Sequence, residues 1–198
     1  MIRDLSETLQ AALDDEALKD RFKELFDAQV SFDRPDEGFH PAQTTVNLFL
    51  YDVREDMELR GNELVVTRQN GQAVIQRPPL RAICSYLITA WPVGGADTTL
   101  QEHRLLSQTL QVFAAMPKIP EKYLQGELKG QQPPLPLVAA RMDRAKEPYE
   151  FWTAIGSKVR PSITIAVTIG MELYEQETAP VVTSHELRLS ERTAASET

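Results

Sequence analysis

Side chains capable of covalent, acid–base or metal chemistry are few in this 198-residue chain, and their spacing fits none of the usual constellations. The three histidines are His40, His103 and His185. None has a second histidine three or four residues away, the spacing that sets two imidazoles on one side of a helix to hold a metal, and Glu102-His103 lacks the rest of a zincin motif. Ser85, Ser107 and Ser162 have no GxSxG turn around them. Gly94-Gly95 follows an apolar run, but GxGxxG and the GKS or GKT ending are both absent, so a turn is predicted rather than a phosphate cradle. Adjacent carboxylates such as Glu55-Asp56 carry no weight in a chain with 29 acidic residues. Cys84, the only cysteine, lies inside RAICSYLITAW; it has no disulfide partner and reads as a small buried hydrophobe. These residues predict no catalytic group, no metal and no cofactor.

Composition narrows the partners. The chain is 42% hydrophobic and 25% charged, the balance of a soluble globular protein. A net charge of −8 without any basic block argues against nucleic acid, whose phosphates demand clustered Lys and Arg. No apolar run approaches the roughly 20 residues needed to cross a bilayer. The opening stretch MIRDLSETLQAALDDEALKD carries acids through its apolar positions and has no signal-peptide core. Together with the lone thiol, this points to assembly in the cytoplasm.

The elements that must position any functional surface follow from periodicity. Residues 2 to about 16 read as a helix with Ile2, Leu5, Leu9 and Leu13 on one side. Val30 and Phe32 suggest a short strand stopped by Pro35. Val46 to Val53 is apolar at nearly every residue and is predicted to be covered on both faces. Glu63–Gln69 and Gln72–Gln76 flank Asn70-Gly71, the dipeptide suited to a type I′ hairpin turn. Leu80–Trp91 is a long strand, and Asp97-Thr98-Thr99 opens a second helix running to about Met116. Pro117 and Pro120 end that helix, and Pro133, Pro134 and Pro136 make the segment from Ile119 to Met142 loop-like. A short helix spans Glu147–Ile155, and Ser162–Tyr174 alternates as a strand long enough to suit a central position or an edge reaching a neighbour. The predicted fold is α+β: a largely antiparallel, mixed sheet of about five or six strands, two main helices and a short third. Residues 1–174 form one domain, and 175–198 a polar tail. That tail is an arm or a disordered extension, in which Val181, Val182, Leu187 and Leu189 offer a further short strand.

Four blocks in fixed order carry a resemblance. VNLFLYDVREDMELR (Val46–Arg60), SYLITAW (Ser85–Trp91), EHRLLSQTLQVF (Glu102–Phe113) and FWTAIGSKVRPSITIAVT (Phe151–Thr168) resemble the cap, or tail-terminator, proteins of extracellular contractile injection systems. These are phage-tail-like particles of the antifeeding-prophage and virulence-cassette type. The resemblance covers roughly Met1 to Tyr174. It implies a non-enzymatic ring, six-fold, that ends polymerisation of the inner tube and the outer sheath, with the chain itself, the tube protein and the sheath protein as partners. The sequence ends soon after the shared region, so the larger C-terminal extension of some relatives is expected to be missing, together with any function it carries.

A ring needs a contact between two different surfaces that closes after a fixed rotation. Charges at the rim set its register while a few apolar anchors hold it. Arg54, Glu55, Met57 and Arg60, where the first long strand empties into a charged exit, fit that description; an ordinary solvated loop is the plainer reading. Two other functions compete with the terminator: a baseplate, adaptor or cargo-loading module of the same particle, and a hydrolase with a site assembled only in space. A deep pocket lined by His103 and carboxylates would favour the last.

Overall fold

Described residues of the computed structural model are 1–61, 63–69, 72–140, 148–175 and 177–180, with the side chains of residues 69, 148 and 149 outside that set. The strands are β1 (Gln29–Ser31), β2 (Thr45–Glu55), β3 (Val65–Gln69), β4 (Gln72–Gln76), β5 (Leu80–Trp91), β6 (Leu137–Ala139), β7 (Ile163–Met171) and β8 (Glu177–Pro180). The α-helices are α1 (Ile2–Leu13), α2 (Lys23–Phe26), α3 (Thr98–Ala114) and α4 (Pro148–Ala154). The α+β expectation holds, but the strands divide between a five-stranded sheet ordered β1-β2-β5-β7-β6 and a three-stranded sheet ordered β3-β4-β8. The chain separates accordingly into two units, residues 1–60 with 79–171 and residues 61–78 with 172–198.

In the larger unit, pairing is antiparallel except for the parallel β1–β2 contact. Alternation explains the layers. Ala82, Cys84, Tyr86, Ile88 and Ala90 of β5 share one cluster with Leu5, Leu9 and Leu13 of α1 and with Leu105, Leu106, Val112 and Phe113 of α3. Leu87, on the opposite face, packs with Trp152 and Ile155, and Phe49, Tyr51 and Phe151 join them. Two helices therefore cover one face, and α4 with Ile155 covers part of the other. Cys84 is buried as expected, and burial pushes its thiol up to about 11. Tyr86 is fully buried, its hydroxyl 3.0 Å from Ser6 Oγ, which satisfies the polar end of a ring otherwise held in hydrocarbon.

Two expectations are refined. It is β5, not β2, that is buried on both faces from Ala82 to Ala90. β2 is buried only through Leu48 and reaches solvent at Val53 and Arg54, because β1 flanks just its first three residues, Thr45, Val46 and Asn47. From Leu48 to Glu55 no described strand pairs with the outer side of β2. In addition, the proline-rich segment read as loop contains β6, which lies against Ile165, Ala166 and Val167.

That same segment closes the other flank of the sheet. Ala140 N donates to Thr164 O at 2.8 Å and Thr168 N to Pro136 O at 3.2 Å. Beyond them the Gln131 side chain imitates a strand: its Nε2 donates to Gly170 O at 2.5 Å and its Oε1 accepts from Gly170 N at 2.9 Å. Helix α1 anchors the segment from below. Thr8 Oγ1 accepts from Gln125 N at 3.0 Å, and Asp4 Oδ2 from Glu127 N at 3.1 Å. Gly126 between them has φ +53°, and a Cβ there would come within 2.5 Å of the Asp4 carboxyl carbon; the close approach requires glycine.

The smaller unit is a ribbon. β3 and β4 pair in register from Gln69↔Gln72 outward, so two residues connect them, and β8 lies antiparallel on β4. The turn itself, Asn70-Gly71, lies outside the described residues. Of the polar tail read from Glu175, Glu177–Pro180 forms β8. Residues 181–198, including Val181, Val182, Leu187, Leu189 and His185, lie outside the described set.

Candidate functional site

The charged exit of β2 is a compact turn built around Asp56. Its backbone N–H donates to Arg81 O at 2.7 Å, and its Oδ1 accepts from Glu58 N at 3.1 Å and Leu59 N at 3.3 Å. A carboxylate accepting two successive backbone N–H groups folds the chain back on itself without a hydrophobic anchor. The turn brings Arg60 Nε to 3.4 Å from Glu55 Oε1, while Arg54 Nε lies 3.8 Å from Asp52 Oδ2. Of the four residues singled out by sequence, Glu55 and Arg60 are thus paired, Arg54 pairs with a residue the sequence reading did not select, and Met57 turns to solvent with 64% of its surface exposed. Leu59 and Val53 are exposed beside it. The ion pairs are solvent-accessible, so they order the turn more than they stabilise the fold.

Within the smaller unit, exposure runs along the edge strand. Leu64, Val65 and Val66 are each more than half exposed, as are Leu173 and Tyr174. Consecutive strand residues point to opposite faces, so Val65 and Val66 leave both faces of β3 uncovered. No described residue of this unit is a buried hydrophobic one. The Arg77 guanidinium sits 4.8 Å from the Tyr174 ring centroid, a local cover for one aromatic face.

The remaining candidate chemistry resolves into structure. Arg160, just ahead of β7, stacks on the Trp91 ring at 3.6 Å and donates to Glu102 Oε1 from Nη2 at 3.0 Å and from Nε at 3.1 Å. Phe39 meets the other partner edge-on, its ring centroid 4.9 Å from that of Trp91. Glu102 is buried, and both charges have opposite partners, as burial demands. One residue from each of the last three resemblance blocks meets here: Trp91, Glu102 and Arg160. A groove of about 560 Å³ runs beside them, lined among others by His40, Asp36 and Lys158. His103 is exposed on α3 and does not line that groove. Among the described residues no cluster of His, Cys, Asp and Glu has metal-binding geometry, and no helix is long and apolar enough to cross a membrane.

Sequence reasoning missed Asp56, the organiser of the turn, and the exposed apolar edge of β3. The second was readable: Val65-Val66 in a hairpin of five-residue strands puts apolar groups on both faces of a ribbon too thin to bury both. The first had no local signal, since Asp56 is one carboxylate in a run of several.

Residues 4–184 match the family model described as Pvc16 N-terminal domain. Among solved structures, the chain is similar to the sheath/tube terminator of the extracellular contractile injection system PVC, in its extended state, with TM-score 0.69 and 23% identity over 100% of this chain. It is also similar to the tube-terminating cap of the anti-feeding prophage, with TM-score 0.58 and 23% identity over 82% of this chain. The chain spans 65% of the length of the first and 54% of the second. No curated protein matches the sequence significantly.

Proposed function

The chain belongs to the Pvc16 N-terminal domain family, and from that premise we propose that it is the tail terminator of a contractile injection particle. It works without catalysis, as a ring, six-fold in this reading, seated on the last layer of the inner tube and the outer sheath. One face copies the surface that the tube protein offers to its own next layer, and the other face presents nothing for a further layer to bind. Residues 1–174 are the capping body and 175–198 an arm toward a neighbour or the sheath. Arg54, Glu55, Met57 and Arg60 belong to the contact with a neighbouring subunit or the tube. Assembly takes place in the cytoplasm, with neither nucleic acid nor membrane as a partner.

The observation that carries this reading is the likeness of fold to a sheath/tube terminator along the entire chain. The turn at Asp56 supports it: a charged loop ordered by that carboxylate, with Met57 and Leu59 exposed, has the character of an interface rim. Deleting the protein from a particle-producing strain and measuring tube length by electron microscopy tests it. Tubes of uncontrolled length, or no stable particles, are expected; particles of normal, uniform length overturn it.

A further inference from the structure

The five-stranded sheet carries two unlike features at its two ends, both within the larger unit. At the Arg81 end of β5 stands the turn that follows β2. Asp56 holds it, donating its N–H to Arg81 O and accepting from Glu58 N and Leu59 N at its carboxylate. At the Trp91 end lies the groove of about 560 Å³. Two chain segments line it beside Trp91, one acidic at Asp36 and Glu37, the other basic at Lys158 and Arg160. The strand between the two features spans about 33 Å at roughly 3.3 Å per residue.

We infer that the turn 55–60 of one copy seats in this groove of the next copy. The contact rests on the ring reading above and gives that ring its two surfaces. A closed ring demands two different, complementary surfaces on one chain, and a knob and a groove at opposite ends of one sheet suit a head-to-tail contact. Charge selects a second copy as the occupant. In the turn, Glu55 and Asp56 are spent on Arg60 and on the backbone, while Glu58 is exposed and enters neither pairing. Seated, Glu58 meets Lys158, and Arg60 meets Asp36 and Glu37. Two signs on each side fix one orientation, because the reversed one sets like charges together. Met57 and Leu59 are exposed on the turn and Val159 on the groove, the apolar anchors that a charged rim surrounds. Both surfaces are ordered before they meet, which lowers the cost of docking. Asp56 orders the turn. Glu37 N donates to Gly156 O at 3.2 Å across the two lining segments, and Arg160 is fixed by buried Glu102 and by stacking on Trp91.

A charge swap tests the contact. Lys158→Glu disables the groove and Glu58→Lys the turn, and both sites are exposed and tolerate the change. The wild-type chain is expected to form a ring by native mass spectrometry, and each single variant to be monomeric with an unchanged far-UV spectrum. The double variant restores opposite charges at every contact and is expected to form rings again. A one-to-one mixture of the single variants does the same, as rings in which the two alternate. Should the wild-type chain stay monomeric on its own, or a variant unfold, Met57→Cys combined with Val159→Cys decides in particles from a producing strain, with the native Cys84 buried. A short bis-maleimide is then expected to give a ladder of oligomers of this chain. Rings that persist in either single variant, a double variant and a mixture that both stay monomeric, or no ladder from the cysteine pair overturns the inference. So does a Lys158→Glu ring that persists but no longer binds the tube, which would assign the groove to the tube protein. Intact rings in the single variants would defeat this contact and leave the terminator reading standing, whereas uniform particle length without the protein defeats the terminator reading itself.

Discussion

The two flanks of the five-stranded sheet are treated in opposite ways. Along β7 the backbone is closed from Thr164 to Gly170 by β6, by Pro136 O and by the Gln131 side chain. Along β2, β1 pairs with the first three residues, and beyond Asn47 no described strand pairs with that side. The difference teaches that the two flanks are ordered by different means. This chain devotes residues 118–140 to sealing one side, tied to α1 through Thr8 and Asp4, and the other side ends instead in a turn ordered by Asp56 with apolar groups left in water.

Breaking the sealed side has the largest consequence. Leu135, fully buried, anchors the covering segment to the core, and Leu135→Ala is expected to lower stability by about 2–5 kcal/mol, read as the midpoint of urea unfolding. Arg160 holds the approach to β7 against Trp91 of β5 and Glu102 of α3. Arg160→Met leaves Glu102 buried without its partner and is expected to cost about 3 kcal/mol. The double variant Glu102→Gln, Arg160→Met recovers part of that loss, so a double-mutant cycle shows coupling beyond additivity.

Removing the strand mimic is milder. Gln131→Ala loses both hydrogen bonds to Gly170 and is expected to cost about 1–2 kcal/mol. It also bares the end of β7, so non-specific self-association detected by light scattering is expected to rise, which the substitutions on the β2 side do not produce.

The clamp that starts the covering segment makes stability depend on pH. Asp15 accepts from Lys122 Nζ at 2.5 Å, from the Tyr123 hydroxyl and from Ala17 N at 2.9 Å, and these bonds, Lys122 foremost, hold its carboxyl well below the usual carboxylate range. The Lys122 ammonium is raised in turn to about 12. A depressed folded-state value contributes stability that is present above the unfolded value of about 4 and is lost as pH falls through the folded one. Wild type is therefore expected to exceed Asp15→Asn in stability at pH 7, with the gap closing below about pH 4; thermal melts across that window check it. On the β2 flank, finally, Arg54→Ala and Met57→Ala are expected to change stability by no more than about 0.5 kcal/mol, since both side chains are exposed.

Local patterning made much of the fold legible. β5 runs over the predicted Leu80–Trp91, the hairpin has its two-residue connection, and α1, α3 and β7 fall within a few residues of their predicted bounds. Each of these depends on a period of two or 3.6 residues, or on a turn dipeptide, and those forces act between near neighbours. The order of four blocks also carried the family, which residues 4–184 match. Tertiary structure alone decided the rest. Trp91, Glu102 and Arg160 meet across separations that no periodicity spans, and Gln131 imitates a strand only because the chain returns beside Gly170. Nor does an apolar run such as Val46–Val53 say how long its neighbour is: β1 pairs with β2 over three residues only, a fact about topology and not about the composition of either strand.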